Sequence, residues 1–231
     1  MAKGLVWLLV SVLLNAFGNA LTVKAALGSA PWTAASLNLS SAFGITVGQA
    51  LIIVGFIVLV VDDFLRGRRS LLKDFFNFLY VLTFGYMIDA WLLLMQHLAM
   101  NGFILRVAVC VLGIMCIGCA LSIYFRVNLV LHPFDDLMKI LREKFFHGNV
   151  VLAQRVSLGI PLAVGLSIGL VRHQLIGISV GTAVSFLCMG YFILMFDKIL
   201  KLHLDRKWRF RLSAQRHGHH VHGVLHAHSK A

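Results

Sequence analysis

Six apolar runs, each close to the length needed to cross a bilayer, constrain this chain more than any other feature. They are Leu5–Ala26, Ile45–Val61, Phe75–Leu98, Ile104–Phe125, Val150–Leu170 and Leu175–Leu200. A helix of about 20 residues covers a hydrocarbon layer of about 30 Å. Only the second run falls short, and it requires upright placement or local thinning of the bilayer. None alternates with period two, which argues against a β-barrel. Hydrophobic residues make up 59% of the 231 positions and charged residues 13%, a balance of the membrane class rather than the soluble one. The expected fold is all-α and polytopic, with the lipid bilayer as its first partner.

The net charge of +12 does not point to nucleic acid, because the basic residues follow the membrane topology. With six spans, one face receives Lys3, Arg66, Arg68, Arg69, Lys73, Lys139, Arg142, Lys144 and the basic stretch from Lys198 to Arg216, flanked by Arg126 and Arg155. The other face receives Lys24, Arg106 and Arg172. This asymmetry predicts a multi-pass protein of the cell membrane with both termini cytoplasmic. The N-terminal run has the look of a cleavable signal peptide, but it stays apolar to Val23 and is read as a retained span. Cys110, Cys116, Cys119 and Cys188 all fall in apolar segments, so a disulfide framework is not expected.

Asp89 is the one acid set deep within a long apolar run, residues 75–95. An ionised carboxylate at bilayer depth costs at least about 2.5 kcal/mol unless it is paired, hydrated or protonated. Asp89 is therefore the first candidate for a proton- or cation-coupling site. The alternative is an acid hydrogen-bonded within the bundle that fixes helix packing.

The two halves overlay without gaps at an offset of 102 residues. Lys24 falls on Arg126, Leu27 on Leu129, and Pro31-Trp32 on Pro133-Phe134. In each half a span ends at a basic residue, and seven positions later a Pro-aromatic pair starts a short segment, 31–43 and 133–146. Three spans per half make the halves enter the bilayer from opposite sides, an inverted repeat of the kind found in secondary transporters. The expected organisation is a first repeat over 1–101, a second over 102–200 and a basic, histidine-rich cytoplasmic tail over 201–231. The second short segment carries an apolar stripe (Phe134, Leu137, Met138, Leu141, Phe145) and predicts a helix lying on the cytoplasmic interface, with Asp135 and Asp136 in its first turn. The first has no charge and fits a re-entrant helix whose N-terminus, near Lys24, suits an anion.

The stretch Ala25-Ala-Leu-Gly-Ser-Ala-Pro-Trp-Thr-Ala, with Gly44-Ile-Thr-Val-Gly48-Gln, Ile53-Val-Gly55 and Gly177-Ile-Ser-Val-Gly181-Thr-Ala-Val-Ser185, resembles the YczE/YyaS/YitT group of bacterial integral membrane proteins. The resemblance implies a small polytopic membrane protein of poorly defined molecular function. It also implies an acid after Pro-Trp, where this chain has Thr33; the matching acid stands only in the second half, as Asp135.

Other candidates have a functional and a packing reading each. Asn15 and Asn19 share a helix face and fit either a polar pathway or interhelical hydrogen bonding. Lys24 and Arg126 fit either an anionic group or snorkelling at span ends. Cys116 and Cys119, with Cys110, fit a soft-metal site less well than small-residue packing. His217, His219, His220, His222, His226 and His228 form a tract of the kind that binds metals loosely, or a solvated tail. Gly177 and Gly181 are spaced for helix association, within one chain or with a second copy in a homodimer. No Ser/His/Asp constellation or nucleotide loop points to an enzyme, and no resident cofactor is expected. The leading expectation is a secondary transporter for a small organic solute. The alternatives are a divalent-metal transporter and a non-transporting membrane partner of another protein.

Overall fold

The computed structural model describes residues 2–67, 71–127, 130 and 132–200. Among them the chain forms α1 (Ala2–Ala25), α2 (Pro31–Phe43), α3 (Val47–Arg66), α4 (Leu71–Leu94), α5 (Phe103–Val127), α6 (Pro133–Ile140) with a π-helical turn over Leu141–Phe145, α7 (Val150–Val171) and α8 (Val180–Ile199). There is no strand among the described residues. All but α2 and α6 are long and apolar enough to cross a membrane, and their outward faces carry large apolar side chains such as Phe56, Phe64, Leu187 and Tyr191. The protein is a multi-pass, all-helical membrane protein.

Local chemistry sets the helix ends. Pro31 and Pro133 occupy the first turns of α2 and α6, where a missing N–H costs nothing. The left-handed Gly44 ends α2. Thr46 and Gln49 form a reciprocal capping box at the start of α3. That helix is longer than its apolar run. It continues through Asp62 and Asp63 to Arg66, which pairs with Asp63 one turn back at 3.2 Å, and it stops at left-handed Gly67. The last span, expected from Leu175, begins only at Val180. Gly177 has φ +70° and belongs to the preceding turn, while Ser179 caps the helix with Thr182.

At the centre, α1 and α5 run antiparallel. Gly18 lies on Gly113, and Arg106 at the start of α5 donates to the carbonyls of Ala25 (2.7 Å) and Ala26 (2.8 Å) at the end of α1. Helix α4 flanks α1, and α8 flanks α5. The short helices cross over: α2 packs mainly on α7, and α6 on α3. Helices α3 and α4 are clamped at Gly48 and Gly85, where an added Cβ on Gly48 would meet the Gly85 carbonyl at 2.1 Å. Helices α7 and α8 make no comparable contact.

Helix α6 does not lie on the outside of the bundle. Phe134, Asp136, Leu137 and Ile140 are all buried, and Leu137 and Phe134 belong to one core cluster with Leu51, Val58, Tyr80, Phe84, Ile88 and Tyr124. Most of its apolar stripe faces protein, although Phe145 is exposed, and two of its charged residues serve the neighbouring helices. Asp136 is paired with Arg66 and with Lys73 (2.8 Å). Lys144, from the π-helical turn, donates to the last carbonyls of α3, Leu65 (2.9 Å) and Arg66 (2.8 Å).

Candidate functional site: a cavity between the two Pro-aromatic segments

A cavity of about 380 Å³ opens beside the paired central helices. Its walls come from all parts of the chain: Asn15 and Asn19 from α1, Pro31 to Thr33 from α2, Phe84 from α4, Leu121 and Phe125 from α5, Phe134 and Asp135 from α6, Ser157 from α7 and Ser185 from α8. The two Pro-aromatic pairs, 102 positions apart in sequence, meet here. The rings of Trp32 and Phe134 stack with centroids 3.8 Å apart and planes 2° apart.

One polar chain lines the wall on the side of α1. Asn19 donates from Nδ2 to Oδ1 and the carbonyl of Asn15, both at 2.9 Å. Its own Oδ1 accepts the Thr33 hydroxyl at 2.6 Å. The Asn15 side chain also faces the hydroxyl of Tyr80. The two asparagines tie α1 to α2 through Thr33, and both line the cavity.

The start of α6 carries the titratable groups of the wall. Asp135 is half-buried and makes no ion pair among the described residues. Burial raises its carboxyl pKa to about 7, the neighbouring Asp136 adds to the rise, and a hydrogen bond with Tyr124 opposes it. His132 precedes the helix. Its Nδ1 accepts the Phe134 N–H at 3.3 Å, which leaves the proton on Nε2, and that atom is buried with no partner among the described residues. Burial lowers the pKa of this imidazole to about 3, so it is neutral at ordinary pH. Its ring is boxed by Tyr80, Phe84 and Phe134. The Ser185 hydroxyl, on α8, is likewise buried without a partner among the described residues.

Asp89 lies elsewhere. It stands near the end of α4 and receives the N-terminus of α3: Thr46 Oγ1 donates to Oδ2 at 2.5 Å and the Gly48 N–H to Oδ1 at 2.8 Å. The expected uncompensated charge is therefore compensated by a hydroxyl, an amide and the positive end of a helix, and Asp89 does not line the cavity. Lys24 and Arg126 stand at opposite ends of the bundle, as their matched places in the two halves imply. Lys24 donates to the Gln96 carbonyl at 3.3 Å, whereas Arg126 sits about 30 Å away at the far end of α5 and is engaged by Asp197 at 3.1 Å and by the carbonyl of Leu200. The start of α2 therefore faces the cavity without Lys24 beside it.

The cysteines are free thiols, and no group of three or more His, Cys, Asp or Glu among the described residues is placed to hold a metal. The histidines from His217 to His228 lie outside the described residues. Gly177 and Gly181 are used within the chain, against Leu37 and against the carbonyls of Leu27 and Gly28.

The sequence profile of a family of unknown function, DUF6198, matches residues 2–198. The chain belongs to this family. Among curated proteins of Bacillus subtilis it is similar to the uncharacterized protein YyaS, at 26% identity over 87% of this chain and 95% of the relative. It is also similar to the uncharacterized membrane protein YczE, at 29% identity over 58% of this chain and 60% of the relative. No solved structure matches. The DUF6198 match runs through both Pro-aromatic segments and every wall of the cavity.

Proposed function

We propose that this DUF6198 protein is a secondary transporter of a small organic solute in the cell membrane, with both termini cytoplasmic and no enzymatic activity. The observation that carries this reading is a cavity at the meeting of two Pro-initiated short helices, holding a carboxylate, Asp135, that has no ion-pair partner among the described residues. Short helices that present their N-terminal turns to a central site recur in transporters built from inverted repeats. The antiparallel α1 and α5, and the crossed packing of α2 on α7 and α6 on α3, support that repeat architecture. Asp135, which titrates near neutrality, is the coupling group in this reading, and Asp89 anchors α3. The divalent-metal alternative draws no ligand cluster from the described residues, and no feature of them singles out a partner protein.

The test is reconstitution of the full chain into liposomes loaded with a pH-sensitive dye, challenged with a panel of organic amines, acids and sugars. Solute-dependent proton movement, lost in Asp135→Asn and kept in Asp89→Asn, is expected. Liposomes that pass neither protons nor labelled solute, together with a protein that co-purifies in fixed ratio, would replace this reading with that of a membrane accessory protein.

A further inference from the structure

The cavity is charged in one sense only. Asp135 is the only acid on its wall among the described residues, and no lysine or arginine lines it. Arg66 and Lys73 are committed to Asp136, the next residue, with Lys73 at 2.8 Å. Two adjacent acids thus divide their roles, one neutralised by the bundle and one left facing the void. The rest of the wall is uncharged, a mixture of aliphatic and aromatic side chains with amides and hydroxyls such as Asn15, Gln154 and Ser157. No carboxylate or imidazole cluster among the described residues surrounds Asp135 to replace the water of a hydrated metal ion.

Two of the lining residues, Leu194 (60% exposed) and Phe125 (38% exposed), also reach the outer surface of spanning helices. They lie about a turn or less from the Arg126–Asp197 pair that marks the basic end of α5 and α8.

We infer that the cavity takes a monovalent organic cation with an apolar or aromatic body, entering sideways from the bilayer leaflet on the basic side and pairing with the Asp135 carboxylate. This rests on the transporter reading for its purpose but not for its test. Because the carboxyl is about half protonated at neutral pH, arrival of the cation releases the proton to solvent, and the two ions compete for one site. On the cavity wall Asp135 is the titrating member; Asp62 of α3, a second buried acid that faces Asp136, does not line the cavity. Asp136 is held by Arg66 and Lys73, His132 is neutral, Tyr80 and Tyr124 are phenols, and α1, α2, α7 and α8 face the cavity with uncharged side chains.

The experiment uses the full chain in nanodiscs and benzyltrimethylammonium, whose charge does not vary with pH, titrated calorimetrically in buffers of different ionisation enthalpy. Phenylacetate and neopentylbenzene serve as the anionic and neutral counterparts. Binding of the cation is expected to strengthen about tenfold from pH 6 to pH 8, following the ionised fraction of a group titrating near 7, with proton release at the lower pH. Asp135→Asn should lose the cation about tenfold or more, and Asp135→Glu should keep the preference for cation. Equal binding of phenylacetate, pH-independent binding, or unchanged binding in Asp135→Asn would overturn the inference. Cation binding without any flux in liposomes would leave this inference standing and remove the transporter reading. Flux of neutral or anionic solutes alone would do the reverse.

Discussion

Trp32 and Phe134 lie ring on ring, with centroids 3.8 Å apart and planes 2° from parallel, although 102 residues separate them. Each follows the proline that opens a short helix, so the stack joins α2 to α6 at the cavity wall. Aromatic pairs contribute about 0.5–1.5 kcal/mol beyond the area they bury. A double-mutant cycle of Trp32→Leu and Phe134→Leu, read by thermal unfolding in nanodiscs, should return a coupling energy in that range. A value indistinguishable from zero would mean that the rings are merely adjacent.

Asp89 is expected to matter for stability and not for solute-coupled proton movement. Asp89→Asn keeps an acceptor for the Gly48 N–H but loses the charge facing the start of α3, a loss of about 1 kcal/mol. Thermal unfolding reports that loss directly. Solute-dependent proton movement in liposomes should persist; its disappearance would return Asp89 to the coupling role.

Gly48→Ala should be among the most damaging small substitutions in the chain. The new methyl would meet the Gly85 carbonyl at 2.1 Å and Asp89 Oδ2 at 2.5 Å, so α3 and α4 must part. Overpacking of this kind costs about 1–3 kcal/mol or more. Gly159→Ala, where nothing lies within 4 Å of the new methyl, is the control, and it should stabilise α7 by up to about 1 kcal/mol. Comparable effects at the two glycines would contradict the tight helix contact.

The Asp135 carboxyl has a folded pKa of about 7, above its unfolded value of about 3.9. Between these values the folded state binds the extra proton, so this group's contribution to stability is full below about pH 4 and is lost as pH rises through 7. His132 has the opposite sign: its pKa of about 3 lies below the unfolded 6.5, so its contribution is lost as pH falls below about 6.5. The difference between wild type and Asp135→Asn isolates the first effect. The variant's melting temperature, relative to wild type, should climb from pH 4 to pH 8. A flat difference would show that Asp135 titrates normally.

Much of the architecture is legible in the sequence because spanning helices and proline-started helices are written in local chemistry. Pro31 and Gly44 bracket α2, and the apolar runs mark the six candidate spans to within a turn or so at most ends. Asp89 was harder to place, because an acid's neighbours along the chain do not show that the start of a preceding helix folds back onto it. Asp135 was visible only as a helix-start residue. The stripe of Phe134, Leu137 and Leu141 reads the same whether a helix floats on lipid or is enclosed by α3 and α7. The ion pairs of Asp136 with Arg66 and Lys73 enclose α6, and they link residues more than sixty positions apart. The orphaned atoms of His132 and Ser185 have no signature at all, since an unmet hydrogen bond is a property of the packed core.

The unequal seams between helix pairs assign the moving parts. With Gly48 set against Gly85 and Thr46 held by the Asp89 carboxylate, the α3–α4 pair is locked together. Helix α7 carries Pro161 and packs on α2 and α6 rather than along α8. If the chain transports as proposed, alternation between two open forms falls to the α7 flank rather than to both flanks equally.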